Sequence, residues 1–293
     1  VTELLKNGRN SIVAMLGDGW YAGEVFSHSD RGTYGFDRRL LAQLEIVYDD
    51  GTKDCIVTDE SWKLNKEGPV RKASIFNGEE FNAGFLEKGL YDGDFNDSGW
   101  KNAMVDHGVT VLLSAQMNEP ITVTENIVPQ KITFTGNETY IVDVGQNISG
   151  WIRLKLPYNP GRVIKMRFGE MLDENGKLYT ANLRYAQATD VYIPGKEGTI
   201  DYEPTFTYHG FQYVEISGLT SPPEPGHITA RVVTSSPMIA GSFETSNTGL
   251  NKLWSNILWT QRDNLHSTPT DCPQRDERAG WMGDAQIFAT TAI

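Results

Sequence analysis

"ETYIVDVGQNISGWIRLKL", residues 138–156, alternates apolar and polar side chains around Gly145 and Gly150. A period of two is typical of a strand with one buried face. In "LAQLEIVYDDGTKDCIVTD", residues 41–59, two such segments meet at Asp50-Gly51, a dipeptide that favours a hairpin. Strand-like runs recur up to about residue 235, with Gly, Asn, Asp and Pro between them. We therefore predict a mainly β chain of antiparallel β-sandwich or jelly-roll domains.

The period changes after the Pro- and Ser-rich segment "SGLTSPPEPGHITARVVTSSP", residues 217–237. Beyond it, apolar side chains share one helical stripe at Leu250, Leu253, Trp254, Ile257, Leu258 and Leu265. This spacing predicts an amphipathic helix from about "SNTG", residues 246–249, to His266. A second join, at the Pro-containing segment around Glu119, separates two strand-rich halves. We predict two β-sandwich domains, 1–118 and 119–236, and the start of a helical domain at 237–293.

The net charge and the cysteine content exclude several classes of partner and site. The chain has 293 residues and a formal net charge of -12, so it would repel nucleic acid or an anionic membrane surface on average. No apolar run is long enough to suggest a membrane span. Cys55 and Cys272 lie far apart without ligand-like spacing, which argues against a disulfide framework or a zinc site and favours a reducing compartment. Oligomeric state stays open.

The segment "TDCPQRDERAGWMGDAQ", residues 270–286, concentrates charge and allows a purely structural interpretation. Asp271 with Gln274 fits a capping box, and Pro273 is tolerated in a first helical turn. Asp284 fits the N-cap of a helix that begins at "AQIFA", with Gly283 interrupting the preceding turn. Capping therefore accounts for part of the segment and leaves its remaining charged and aromatic residues without a role.

A functional interpretation accounts for those residues. Carboxylates without histidine, paired cysteines or a Gly-rich phosphate cradle fit glycosidic bond hydrolysis better than metal-assisted or phosphoryl chemistry. Neighbouring carboxylates raise one another's pKa, whereas an arginine keeps its partner ionised, so a mixed cluster can separate an acid from an anion. Trp281 would offer an apolar face to a sugar ring. Composition alone leaves the capped turn and the catalytic loop both open.

The same segment closely resembles the signature that begins the catalytic domain of bacterial α-L-rhamnosidases, glycoside hydrolase family 78. "LGDGWYAG" (16–23) and "FNDSGWKNA" (95–103) are similar to that family's N-terminal β domain. "FGEMLDENGKLYTANLRYAQATDVYI" (168–193) and "EPTFTYHGFQYVEISG" (203–218) are similar to the β domain that precedes the catalytic one. The resemblance covers nearly the whole chain, in the family's order.

This resemblance implies an inverting hydrolase that releases terminal α-L-rhamnose from glycosides or oligosaccharides. It also implies an (α/α)6 barrel as catalytic domain, water as second substrate, and neither a metal nor an organic cofactor. Glu277 matches the general acid, and the sugar-binding positions match Asp271, Arg275, Trp281 and Asp284. Asp276 and Arg278 are given supporting roles.

The family's general base is a glutamate further along the helical domain. We therefore expect the chain to be the front portion of a larger protein, with the base beyond residue 293, and expect the isolated fragment to be inactive. One alternative is a carbohydrate-binding or structural β-sandwich protein without catalysis, and another is a hydrolase or lyase of the same architecture that acts on a different sugar.

A calcium loop is a further candidate site. Asp92, Asp94, Asn96 and Asp97 have spacings similar to the first half of such a loop. The bidentate glutamate that should follow is missing at the required position, and strand signals surround the segment. A polar turn is therefore favoured there.

Overall fold

The computed structural model describes residues 1–26, 30–157, 161–196, 198–235 and 239–292. Strands dominate and helices are few, as the sequence predicts. The strands, in chain order, are β1 Gln43–Val47, β2 Lys53–Val57, β3 Lys63–Leu64, β4 Val70–Ser74, β5 Gly78–Asn82, β6 Lys101–Asn102, β7 Ile121–Ile127, β8 Lys131–Gly136, β9 Thr139–Leu156, β10 Ile164–Gly169, β11 Met171–Leu172, β12 Leu178–Tyr179, β13 Thr189–Ile193, β14 Ile200–Tyr202, β15 His209–Ser217, β16 Ile228–Ser235, β17 Leu265–His266 and β18 Thr268–Pro269. The α-helices are α1 Gly19–Ala22, α2 Thr248–Asp263 and α3 Met282–Ala292.

One ten-stranded sheet organises the molecule, in the order β4-β5-β13-β10-β15-β9-β16-β7, with β8 and β14 also paired to β9. The prediction of antiparallel pairing is confirmed for every pair in this sheet except one, because β5 and β13 run parallel. This parallel pair joins strands on opposite sides of the predicted join at Glu119. The domain limits 1–118, 119–236 and 237–293 therefore stay predictions, as do the jelly-roll and (α/α)6 barrel details, while the sheet itself is continuous across the first limit.

β9 is the strand on which the core is built. It runs unbroken through Gly145 and Gly150 for 18 residues. Its even-numbered apolar side chains are buried, among them Val142, Ile148 and Ile152. Each fully buried side chain of this size contributes about 1.5–3 kcal/mol relative to exposure. Gly150 is needed because β16 approaches closely: a Cβ there would lie 1.8 Å from the Arg231 carbonyl oxygen.

The local predictions have mixed outcomes. The hairpin at Asp50-Gly51 is confirmed, since β1 and β2 pair with Gln43 opposite Val57. The amphipathic helix is confirmed as α2, which begins after Asn247; the Asn247 side chain accepts hydrogen bonds from the backbone N–H groups of the first turn. The prediction that the helix includes Leu265 is wrong. The helix ends at Asp263, and Leu265 lies in β17 because the chain turns back to pair with β18.

Helix α2 packs on the sheet and brings the charged segment to it. It contacts β9 and β16, and Trp259 packs against the core. Among the described helices, none is long and apolar enough to span a membrane. No three His, Cys, Asp or Glu side chains in the described ranges converge as metal ligands. Both cysteines are free; Cys55 is exposed and Cys272 is buried.

Candidate active site

Residues 270–281 form an irregular loop between β18 and α3. The loop is closed across its base, where the Asp271 N–H donates to the Ala279 carbonyl (3.1 Å) and the Ala279 N–H donates to Asp271 Oδ1 (2.9 Å). Thr270 and Gly280 form a bridge beside this pair. The predicted capping box is therefore wrong, because no helix follows Asp271 in this described loop. Its carboxylate instead satisfies an amide eight residues further on.

Arg278 anchors the loop to the sheet. Its side chain is almost fully buried, and its Nη1 donates to the Ile75 carbonyl (2.6 Å) and to the Tyr208 carbonyl. Nε and Nη2 donate to the carbonyls of Arg275 and Gln274 within the loop, each at 3.0 Å. The guanidinium also lies over the Tyr208 ring at 5.0 Å. All of these hydrogen bonds go to backbone, so Arg278 holds the loop in shape.

The end of α2 is fixed to β9 by a buried polar cluster. The Ser149 N–H donates to Asp263 Oδ1 (2.9 Å), and Ser149 Oγ lies 2.9 Å from His266 Nε2. Burial raises the pKa of Asp263 to about 7, and burial lowers the pKa of His266 to about 4. Ser149 is itself fully buried, so this cluster is a structural contact that sets where the charged loop begins.

Arg275 joins two of the three carboxylates that are predicted to act on the sugar. Its Nη2 donates to Asp271 Oδ2 and its Nε donates to Glu277 Oε2, both at 3.1 Å. The fork geometry of a guanidinium allows one arginine to orient two carboxylates at once. Three of the predicted site residues are thereby assembled in one network.

A second arginine reaches Glu277 from the connection between β12 and β13. Arg184 Nη2 donates to Glu277 Oε2 at 2.9 Å. Burial acts to raise the pKa of Glu277, but the hydrogen bonds and charges of Arg275 and Arg184 outweigh it and leave that pKa below its ordinary value. Both hydrogen bonds go to Oε2, so Oε1 has no hydrogen-bond partner among the described residues.

Asp276, the residue before Glu277, is buried. It is 3 % exposed, and within the described part of the chain neither carboxylate oxygen has a hydrogen-bond partner. It forms an ion pair with Arg184, whose Nη1 lies 3.9 Å from Asp276 Oδ1. Arg184 therefore sits between two adjacent carboxylates, one hydrogen-bonded and the other held by charge alone.

Trp281 and Glu277 line one cleft. This cleft has a volume of about 390 Å³, and its other lining residues are Phe26 and Arg184. Trp281 is 45 % exposed, so its ring is accessible. Asp284 is exposed in the first turn of α3 and makes no hydrogen bond or ion pair within the described ranges. The prediction that it caps a helix is wrong, because α3 begins at Met282. A carboxylate in the first turn still interacts favourably with the helix dipole.

The structure thus brings Asp271, Arg275 and Glu277 together, places Trp281 at the cleft, and leaves Asp284 apart from the network. Arg184 is the residue that sequence reasoning missed. It lies 93 residues before Glu277, inside one of the family-like segments but without any local feature that predicts its contact. Ion pairs of this separation follow from the fold alone.

Three family models match the chain in order. They are the alpha-L-rhamnosidase N-terminal domain at residues 1–125, the bacterial alpha-L-rhamnosidase concanavalin-like domain at 133–234, and the bacterial alpha-L-rhamnosidase 6 hairpin glycosidase domain at 239–293. An alpha-L-rhamnosidase of Streptomyces avermitilis is 39% identical over 293 residues, covering 100% of this chain and 28% of the relative. One of Formosa agariphila is 39% identical over 296 residues, covering 100% of this chain and 32% of the relative.

Solved structures agree with these matches. The Streptomyces avermitilis alpha-L-rhamnosidase complexed with L-rhamnose has a TM-score of 0.89 and 39% identity, covering 94% of this chain and 27% of that one. The alpha-L-rhamnosidase of Aspergillus terreus has a TM-score of 0.87 and 36% identity, covering 94% of this chain and 32% of that one. The chain spans less than a third of the length of the curated relatives cited above.

Proposed function

We infer that this chain, which belongs to the bacterial α-L-rhamnosidase family and corresponds to its N-terminal portion, supplies the proton donor and part of the sugar site of a rhamnoside hydrolase. The substrate class is glycosides or oligosaccharides with terminal α-L-rhamnose. The non-catalytic alternative, a carbohydrate-binding or structural β-sandwich protein, gains no support from the relatives cited, which are named alpha-L-rhamnosidase.

The position of Glu277 carries the proposal. Its Oε2 is held by two arginines and its Oε1 has no hydrogen-bond partner in the described part of the chain, while the residue lines a cleft that Trp281 also lines. In our proposal, Oε1 gives its proton to the leaving oxygen of the glycosidic bond. Asp271 and Arg275 bind sugar hydroxyls beside it, Asp284 binds a further hydroxyl, and Trp281 stacks on the apolar face of the ring. Arg278 supports the loop from below.

A proton donor has to be protonated when the bond breaks, whereas the two arginines favour the ionised form of Glu277. Two effects of an occupied site oppose them. Bound sugar excludes water from the carboxyl, which disfavours charge, and a second carboxylate nearby adds like-charge repulsion. Both raise the pKa of Glu277 towards the range that a general acid needs.

We propose an inverting mechanism in which the second carboxylate comes from residues outside this chain. An inverting pair needs a separation of about 6.5–9.5 Å, with room for water between its members. Asp271 does not fit this role, because Arg275 and the Ala279 amide already engage both of its oxygens. The 293-residue chain by itself is then inactive.

The direct test is Glu277→Gln in the protein at its natural length. Gln cannot donate a carboxylic proton, so kcat/KM on a rhamnoside with a poor leaving group should fall by about 100-fold or more. An activated aryl rhamnoside needs little protonation and should lose much less. The matched control is Glu125→Gln, which removes a carboxylate from an ion pair with Arg262 at the sheet edge. Near-normal turnover of the poor substrate by Glu277→Gln would contradict the assignment.

A further inference from the structure

Arg184 belongs to the sheet part of the chain but ends at the catalytic loop. It follows a short 3-10 helix, Ala181–Leu183, and has a positive φ of 57°. A side chain other than glycine in this region costs about 1 kcal/mol or more, so the surrounding contacts must impose the conformation. The guanidinium then donates to Glu277 Oε2 at 2.9 Å.

The turn that carries Arg184 is itself anchored. The Asn182 side-chain amide donates to Glu170 Oε2, and the Asn147 side-chain amide donates to Glu170 Oε1, both at 3.1 Å. Asn147 lies in β9, so the turn is tied to the central strand of the sheet. Arg184 is therefore presented to Glu277 from a supported turn.

Asp276 holds the other side of the guanidinium. It is buried without a hydrogen bond among the described residues, and its Oδ1 lies 3.9 Å from Arg184 Nη1. The Asp276 carboxylate is buried, whereas the Arg184 side chain is 41% exposed, so water screens the attraction between them only in part. Arg184 is thus placed by Asp276 and by its own turn, and through that placement it restrains Glu277.

We propose that Arg184 is a positioning residue that, together with Asp276, fixes the orientation of the Glu277 carboxyl for proton donation and couples the loop to the β sheet. This inference rests on the proposed function of Glu277. Arg275 holds the same oxygen from within the loop, whereas Arg184 holds it from the turn between β12 and β13, so the two arginines restrain Glu277 from separate parts of the fold.

Two variants in the protein at its natural length give opposite expectations. Arg184→Met removes a cation next to Glu277. Its removal favours the protonated carboxyl, so the alkaline limb of the pH profile of kcat/KM should move to higher pH. Asp276→Asn removes a neighbouring negative charge, so the same limb should move to lower pH. Since both variants loosen Glu277, kcat on a poor leaving group should fall by about 10-fold to 100-fold in each.

Two further variants separate positioning from general damage. Arg184→Lys keeps the charge without the fork, so its alkaline limb should stay near that of the unmodified protein while kcat recovers only in part. Arg153→Met removes an arginine that pairs with Asp201 on β14 and should change neither kcat nor the pH profile. A purely structural role would lower activity without displacing the limb.

An alkaline limb that Arg184→Met leaves in place, or that Arg153→Met displaces equally, would overturn the inference. Titration of the Glu277 carboxyl by ¹³C NMR in this chain gives the same comparison without turnover. If Arg184→Met does not fold, Arg184→Lys replaces it. A Glu277 pKa that is unchanged in Arg184→Met, or changed in Arg184→Lys, would count against the inference. Failure of Glu277→Gln to impair the poor substrate would instead remove the proposed function, so the two failures are distinguishable.

Discussion

At the scale of single residues, adjacent side chains in the loop 270–281 have different surroundings and contacts. Glu277 lines a cleft, whereas Arg278, the next residue, is almost fully buried and donates to backbone carbonyls. Arg278 also has a positive φ of 51°, a conformation that costs a non-glycine residue about 1 kcal/mol or more and that the surrounding contacts must impose. Two charged residues that are adjacent in the sequence therefore differ in their surroundings: Glu277 lines the cleft, and Arg278 anchors the loop.

Replacing Arg278 with Met should destabilise the protein by about 3 kcal/mol or more. The change leaves the carbonyls of Ile75 and Tyr208 buried without their donor, and unpaired buried acceptors are costly. Urea unfolding of this chain measures the loss. Arg153→Met, which breaks a more exposed ion pair, should cost less than about 1 kcal/mol. Equal losses in the two variants would show that Arg278 does not anchor the loop.

At the scale of elements, the contact between α2 and β9 determines where the loop starts. Asn247 begins the helix as its N-cap, at the place where the sequence predicts the helix to start. The predicted end of the helix, near His266, lies about one turn beyond the observed end at Asp263. Asp263 and His266 are drawn to Ser149 on β9, and this tertiary contact ends the helix before the apolar stripe does.

Asp263→Asn should stabilise this chain at pH 8 and change little at pH 4. The folded pKa of Asp263, about 7, lies above its unfolded value, so the stability that its protonated form contributes is lost as pH rises from about 4 to 7. Asn never ionises and still accepts the Ser149 hydrogen bond, so the gain above pH 7 should be on the order of 2–4 kcal/mol.

Unfolding by urea at several pH values measures this difference. His266 has the opposite sign: its folded pKa of about 4 lies below its unfolded value, so its stabilising contribution is present above about pH 6.5 and is lost as pH falls towards 4. Because both proteins contain His266, their difference isolates Asp263. A gain that is independent of pH would contradict a buried titrating carboxyl.

At the scale of the whole molecule, the sheet unites the predicted β domains. The β4–β5 hairpin pairs through β5 with β13, and the Glu79 carboxylate on β5 accepts hydrogen bonds from the backbone N–H groups of Thr205 (2.9 Å) and Phe206 (3.2 Å). Tyr202 also donates to Glu79, at 3.2 Å. These contacts bury polar groups from both sides of Glu119, so the hairpin is expected to contribute to global stability.

Gly78→Ala tests that contribution. Gly78 has a φ of 102°, and a Cβ there would lie 2.2 Å from the Thr189 carbonyl oxygen on β13. We expect a loss of about 3 kcal/mol or more, since backbone atoms must move apart. Gly51→Ala is the matched control: its φ is 83°, but open space surrounds the added Cβ, so strain alone should cost about 1 kcal/mol. Similar melting temperatures for the two variants would mean that the pairing of β5 with β13 contributes little to global stability.

The sequence by itself determined the β-rich character, the hairpin at Asp50-Gly51, the start of α2 and the residue types of the loop, because alternation, turn chemistry and capping act over a few neighbouring residues. Only the tertiary structure decided that β5 pairs in parallel with β13, that Asp271 closes a loop instead of capping a helix, and that Arg184 meets Glu277. Those outcomes depend on groups far apart in the chain, whose hydrogen bonds and charges act only once folding has brought them within a few ångströms.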